Sequence, residues 1–152
     1  IATISSGGTA PMSGWMTVWR GVDTTTQIDN AATSAAYAAP GTPFTVTITG
    51  IDPTTDGAFV VAAWTSVDNN TWDTLTSGWT LPSSRAQLRN SSGTDTSHVI
   101  AYKEVASGSS GDVSVNQATL GGDAGSTHII SIRPTVVAGG TTNPGWAGGG
   151  WW

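Results

Sequence analysis

Ten acidic residues, five basic residues and two histidines are the main reactive side chains in a 152-residue sequence that has no cysteine. Glycoside hydrolysis would need two carboxyl groups converging across a cleft. The acids instead sit in turn contexts: Asp23 in GVD, Asp52 and Asp56 in IDPTTDG, Asp73 beside Trp72, Asp95 in SGTDTS, Asp112 and Asp123 next to glycines. An aspartate in such a place normally bonds the backbone of its own turn. Glu104, the sole glutamate, stands beside Lys103 at a strand end and reads as half of a surface ion pair rather than a general acid. His98 and His128 are 30 residues apart; they would meet only on neighbouring strands, and a catalytic zinc would still lack its third ligand. An oxygen-rich turn such as DPTTD can hold calcium through Asp52 and Asp56, but no longer acidic loop backs it. No G-x-S-x-G elbow anchors a serine hydrolase, and GGTTNPGWAGGG is followed by neither the lysine nor the helix of a phosphate loop. The expectation is a protein with no catalytic residues, no metal and no cofactor, and hence not an enzyme.

Tryptophan is the other chemical signal. The chain holds eight, and an exposed indole is a favoured platform for sugars and protein partners because a large rigid face is buried at little entropic cost. Trp15, Trp19 and Trp64 fall within apolar runs and are expected in the core, while Trp79, after a Ser-Gly turn, is expected to plug one end of the fold. Trp72 sits in the polar stretch NNTWDT, where it can contact a ligand, with Tyr37 as a second stacking ring. Trp146, Trp151 and Trp152 belong to PGWAGGGWW, which has no strand periodicity to hold them. The candidate partner- or glycan-binding residues are therefore Trp72, Trp146, Trp151 and Trp152.

The elements that must position these residues are strands. Phe44, Val46 and Ile48 alternate with threonines, a half-buried pattern in which β-branched residues suit the solvent side. GAFVVAAW, Gly57 to Trp64, is a continuous apolar run after a turn, as a central strand would be. SHVIAYKEV, GDVSVNQ and STHIISIRP supply three more strands, the last ended by Pro134, and Trp15 to Arg20 alternates like another. NAATSAAYAA, Asn30 to Ala39, has alanine-rich helical propensity but no wide apolar stripe; it reads as a loop or one short turn. Strands separated by Gly/Ser/Thr/Asp clusters predict an all-β, antiparallel two-sheet β-sandwich, jelly-roll or Ig-like, with little or no helix. The sandwich should span residues 1–136, with a Gly/Trp-rich tail over 137–152. The predicted core is Trp19, Val46, Ile48, Val60, Ala62, Ile100, Tyr102, Val113, Val115, Ile130 and Ile132. Arg20 and Arg133 each end an apolar strand, and each is expected to pair with a turn carboxylate such as Asp23 or to cap carbonyls.

The order GWMTVWRGVD…ID, TTDGAFVVAAW, SGWTL, AYKEVASGSSGDVSV and HIISIRP resembles a loosely defined family of β-sandwich proteins of tailed-bacteriophage virions and prophages, over Ile1 to about Pro134. The resemblance implies a virion-surface component, a head decoration protein, head fibre or tail-fibre domain, with other virion proteins and copies of itself as partners. In such proteins a region like ATISSGGTAPMSGWMTVWRGVD follows further strands, so upstream sequence is missing or the member is shorter. An edge strand at Ile1 to Ser5 would then be covered by a neighbour in a closed oligomer, and the tail tryptophans would dock between subunits. The alternative is a carbohydrate-binding module or adhesin of a secreted bacterial protein, and a host-surface glycan fits either reading. A net charge of −5 speaks against a nucleic-acid partner, and no apolar run nears the ~20 residues that cross a bilayer.

Overall fold

A computed structural model describes residues 17–38, 44–68, 70–81, 87–90, 96–117 and 123–135. Among them every regular element is a β-strand: β1 (Ile28–Tyr37), β2 (Phe44–Ile48), β3 (Ala58–Val67), β4 (Trp72–Asp73), β5 (Gln87–Asn90), β6 (Thr96–Val105), β7 (Val113–Gln117) and β8 (Gly125–Ile132). They form a five-stranded sheet in the order β1-β8-β3-β6-β5 and a three-stranded sheet in the order β2-β7-β4, all pairs antiparallel. The two sheets pack as a β-sandwich. First strand pairs with last, second with seventh and third with sixth, which is the nesting of a jelly roll, whereas β5 turns back onto β6. The continuous apolar run predicted to be central is β3, in the middle of the larger sheet.

Alternation selects the core. Val60, Ala62 and Trp64 on β3 face Val99 and Ala101 on β6 and Ile129 on β8. Opposite them stand Val46 and Ile48 on β2, Val113 and Val115 on β7, and Trp72 on β4. Two indoles tie the sheets together. Trp64 on the larger sheet donates from Nε1 to the Val46 carbonyl at 3.1 Å, and Trp72 on the smaller sheet donates to the Ser97 hydroxyl at 3.2 Å. Each bond satisfies a polar atom that burial would otherwise penalise by ~1–3 kcal/mol.

Four members of the predicted core lie on the opposite face of the larger sheet or against it. Ile130 and Ile132 on β8 are half-buried and sit beside Val61 and Phe59, while Ile129 takes the core position opposite Ala62. Two adjacent isoleucines leave the period undecided, and a one-residue choice moves a strand's whole set to the other face. The inward neighbours Thr127 and Ser131 are polar, but both are used: Thr127 Oγ1 donates to Ala35 O, and Ser131 Oγ accepts from Asn30 N. Tyr102 is half-buried on the same outer face, with Ile100 two residues before it. Trp19 completes this side, its ring centroid 5.5 Å from Phe59 and 6.1 Å from Tyr102. Residues 17–20 are not a strand, so Trp19 covers the sheet rather than belonging to it.

The segment read as a loop or turn is instead most of β1, an edge strand paired to β8 along Ile28–Tyr37 with irregular register between Ile28 and Thr33. Its alanines favour helix only weakly, and backbone pairing to a strand already packed on the core overrides that preference. The strand expected at Ile1 to Ser5, Trp15, and the tail from 137 lie outside the described residues.

Candidate functional site

Trp72, proposed from sequence as a ligand platform, is only 2% exposed. The polar residues around it made it look like a loop tip; the two-residue strand β4 pairs it with Gln117 and turns the ring inward. With its edge bonded to Ser97 it has no face to offer a sugar or a partner. Tyr37 is similarly occupied. Its hydroxyl donates to the Thr65 carbonyl at 2.6 Å and accepts from Gln117 Nε2 at 2.9 Å, its ring lies 5.9 Å from that of Phe44, and burial pushes the phenol up to about 12. Trp146, Trp151 and Trp152 lie outside the described residues. Trp79 is buried, as expected of a plug.

The DPTTD turn does not form an oxygen cage. Asp56 accepts from Ser107 N at 2.7 Å, a bond that holds its carboxyl below the usual carboxylate range, and Asp52 is exposed. The turn presents donors, and they converge on Asp29, a residue the sequence reading passed over. Thr54 N donates to Asp29 Oδ2 at 2.5 Å, Thr55 N to the same oxygen at 3.2 Å, both threonine hydroxyls to Oδ1, and Arg133 Nε to Oδ1 at 3.1 Å. Asp29 lies close to the surface, yet its side chain is 0% exposed because its own donors enclose it. Burial works against ionisation, but the bonds from Thr55 and Thr54 outweigh it and hold the carboxyl below its ordinary value. A carboxylate so fully committed is neither a base nor a metal ligand; it is a latch joining β1, the β2–β3 turn and the end of β8.

Arg133 thus pairs as expected, with Asp29 rather than Asp23, while Arg20 is exposed with no ion pair among the described residues. The similarity between the strands they end therefore carries no shared role. Asp23 accepts from Thr25 N and Thr26 N, the local turn bonding predicted for it, and these bonds hold its carboxyl low. Other acids bond across the fold: Asp112 accepts from Gly50 N, and Asp123 from the Asn70 amide. The Lys103 ammonium reaches the Ser110 carbonyl at 3.0 Å.

His98 and His128 share the outer face of the larger sheet, but β3 runs between their strands, opposite His98 through Thr65 and opposite His128 through Ala63. Two strand spacings of about 4.8 Å keep the rings too far apart for one metal. Burial lowers the His98 value and favours its neutral form. His128 Nε2 lies 3.1 Å from Ser126 Oγ, which lies 2.7 Å from Thr65 Oγ1. Among the described residues no carboxylate bonds the other ring nitrogen, so the group lacks the third member of a triad. Nor does any cluster of three or more His, Cys, Asp or Glu residues occur among them that could hold a metal.

A second polar group missed from sequence closes one end of the sandwich. Gln117, fully buried, donates to Tyr37 Oη, Ser66 Oγ and Asp123 O and accepts from Asp123 N; Asn70 adds bonds to Ser66 Oγ and Asp123 Oδ2. Gly125 admits this network, since a Cβ there would collide with the Thr65 carbonyl and the Tyr37 hydroxyl. The side chains with chemistry to offer are thus largely spent on architecture. What stays open is surface, above all β1, where every residue from Ala31 to Ala36 is exposed. Against known proteins, no family model, no curated protein and no solved structure matches this chain.

Proposed function

We propose that the chain is a non-enzymatic structural protein of a tailed-bacteriophage virion surface, a decoration or fibre component that acts through contacts with copies of itself and with other virion proteins outside the cell. The observation that carries this reading is where the motifs of the resemblance fall. TTDGAFVVAAW, AYKEV and HIISIRP supply β3, β6 and β8, three adjacent strands of one sheet, and GDVSV supplies β7 opposite them. The similarity thus covers a packed unit rather than scattered turns. Supporting it, Asp29 and Asp56 serve as latches, and Trp64 and Trp72 as ties between sheets, roles that suit a rigid display domain. The sugar-binding alternative loses Trp72 and Tyr37 and keeps only Trp146, Trp151 and Trp152 as candidate indoles.

Antiserum raised against the purified chain tests the reading. It should label the outside of tailed particles induced from the source strain, in immunogold micrographs and in particle fractions from a density gradient. Finding the chain only in particle-free fractions would overturn it. Glycan-array binding that disappears when Trp146, Trp151 and Trp152 are changed together to Ala would return the sugar-binding alternative to first place.

A further inference from the structure

The edges of the two sheets are unlike one another. β2, β4 and β5 are five, two and four residues long, as short as protected edges usually are, whereas β1 runs for ten. None of the usual guards defends it: from Asn30 to Tyr37 there is no proline and no charged residue, and Asp29 at its start is neutralised by Arg133. Its register against β8 is uninterrupted from Thr33 to Tyr37. The Ala35 carbonyl points into the sheet, where it accepts from Thr127 Oγ1 at 3.3 Å. Antiparallel alternation then turns the N–H and C=O of Ser34 and Ala36 outward, to the open edge.

We infer that β1 pairs antiparallel with β1 of a second copy, about a two-fold axis normal to the sheet at Ala35. Such an axis pairs residues on the same side of the strand, so Ala35 faces its own copy, Ser34 faces Ala36, and Thr33 faces Tyr37. The outward groups of Ser34 and Ala36 bond each other reciprocally, and both sheets continue as one. A second copy fits better than an arbitrary strand because each chain carries a net charge of −5 and β1 from Asn30 onward is a long neutral edge on which two like-charged copies can approach. The Ala, Ser and Thr side chains leave no bulk between the backbones. The area sets the strength. An edge about 34 Å long and about 10 Å deep buries roughly 300 to 400 Å² per copy, below the ~800 Å² per partner of stable complexes, so the pair is weak, with a Kd of order 0.1 to 1 mM. It concerns the isolated chain and stands or falls apart from the particle reading.

The absence of cysteine makes a trap simple. A facing pair that is not hydrogen-bonded has Cα atoms about 4.5 Å apart, within disulfide range. Mild oxidation of Ala35→Cys should give a covalent dimer at least about tenfold faster than Thr47→Cys, an exposed control on the other sheet. Sedimentation of the unmodified full chain should show reversible dimers that strengthen toward ~1 mM. Ser34→Pro removes an outward N–H, which an edge strand tolerates, and should abolish the dimers while leaving the circular dichroism spectrum unchanged. A chain monomeric throughout, equal cross-linking at the two cysteine positions, or dimers untouched in folded Ser34→Pro would each overturn the inference; should Ser34→Pro fail to fold, the two cysteine variants decide it alone.

Discussion

Asp29 offers the most direct test of how this sandwich holds its edge strand. Replacing it with alanine takes the acceptor from the Thr54 and Thr55 amides, from both hydroxyls and from Arg133 Nε. Bonds to a charged group contribute ~1.5–3 kcal/mol each when water cannot replace them. Here it partly can: Thr54 is exposed, and the Arg133 side chain keeps 30% of its surface in solvent. An ion pair so placed is worth only ~0–1 kcal/mol. Counting the part-buried Thr55 amide and hydroxyl at the low end of the range, plus a fraction of a kcal/mol for the ion pair, gives about 3 to 4 kcal/mol for Asp29→Ala. Asp29→Asn keeps one carbonyl oxygen and should lose about half of that.

The pH dependence follows from the same contacts. The folded carboxyl is held below the ~3.9 of an unfolded aspartate. Its contribution is therefore complete above that value and is lost as pH falls through the folded value, where Asp29 is protonated in both states. Urea titrations of the wild type and Asp29→Asn, at pH 7 and then stepwise into acid, should show a stability gap that closes as the carboxylate is neutralised. A gap below about 0.5 kcal/mol at neutral pH, or one that persists unchanged in acid, would show that the latch does not hold β1.

On β8, Ile129→Ala should cost ~2–5 kcal/mol and Ile130→Ala about half as much or less, read from urea midpoints; equal losses would contradict the register of the strand. Thr74 holds a β-branched side chain at φ 52°, so Thr74→Gly should raise stability by ~0.5–1 kcal/mol, the left-handed penalty of ~1–2 kcal/mol less the added chain entropy of glycine; a lower melting temperature would mean the strain is absent. Gly125→Ala should lower the melting temperature by more than 10 °C, corresponding to a loss of ~2 kcal/mol or more in a domain of this size, because the new methyl meets backbone and a buried hydroxyl.

Much of the sandwich can be read from alternation alone. Phe44 to Ile48, Val113 to Gln117 and the run through Trp64 each show one pattern, and each forms the strand that pattern implies. Failures came where local preference and tertiary pairing disagree. Ala31, Ala32, Ala35 and Ala36 carry no strand signal, yet the free edge of β8 supplies the backbone partners that make them β1. Trp72 was misplaced because its polar neighbours resemble a loop, and a strand of two residues has no period to detect. Trp19 alternates like a strand residue, but its large ring is accommodated as a cover over Phe59 and Tyr102.

The hidden polar groups explain why the search for a catalytic site from sequence finds only fragments. Asp29 and Arg133 are separated along the chain by nearly its whole described length, and Gln117 meets Tyr37 only after β7 and β1 are built into opposite sheets. No spacing rule could join them, since their proximity is a product of the nested pairing of first strand with last and second with seventh. The same nesting leaves β1 with a neighbour on one side only. Aspartate, threonine and arginine at its start are consumed in fixing that strand to the sandwich, and beyond them the strand carries small neutral residues as far as Tyr37. A chain that spends its charged side chains to hold an edge in place, and then keeps the edge itself free of charge, has arranged for backbone rather than side-chain chemistry to meet whatever approaches it.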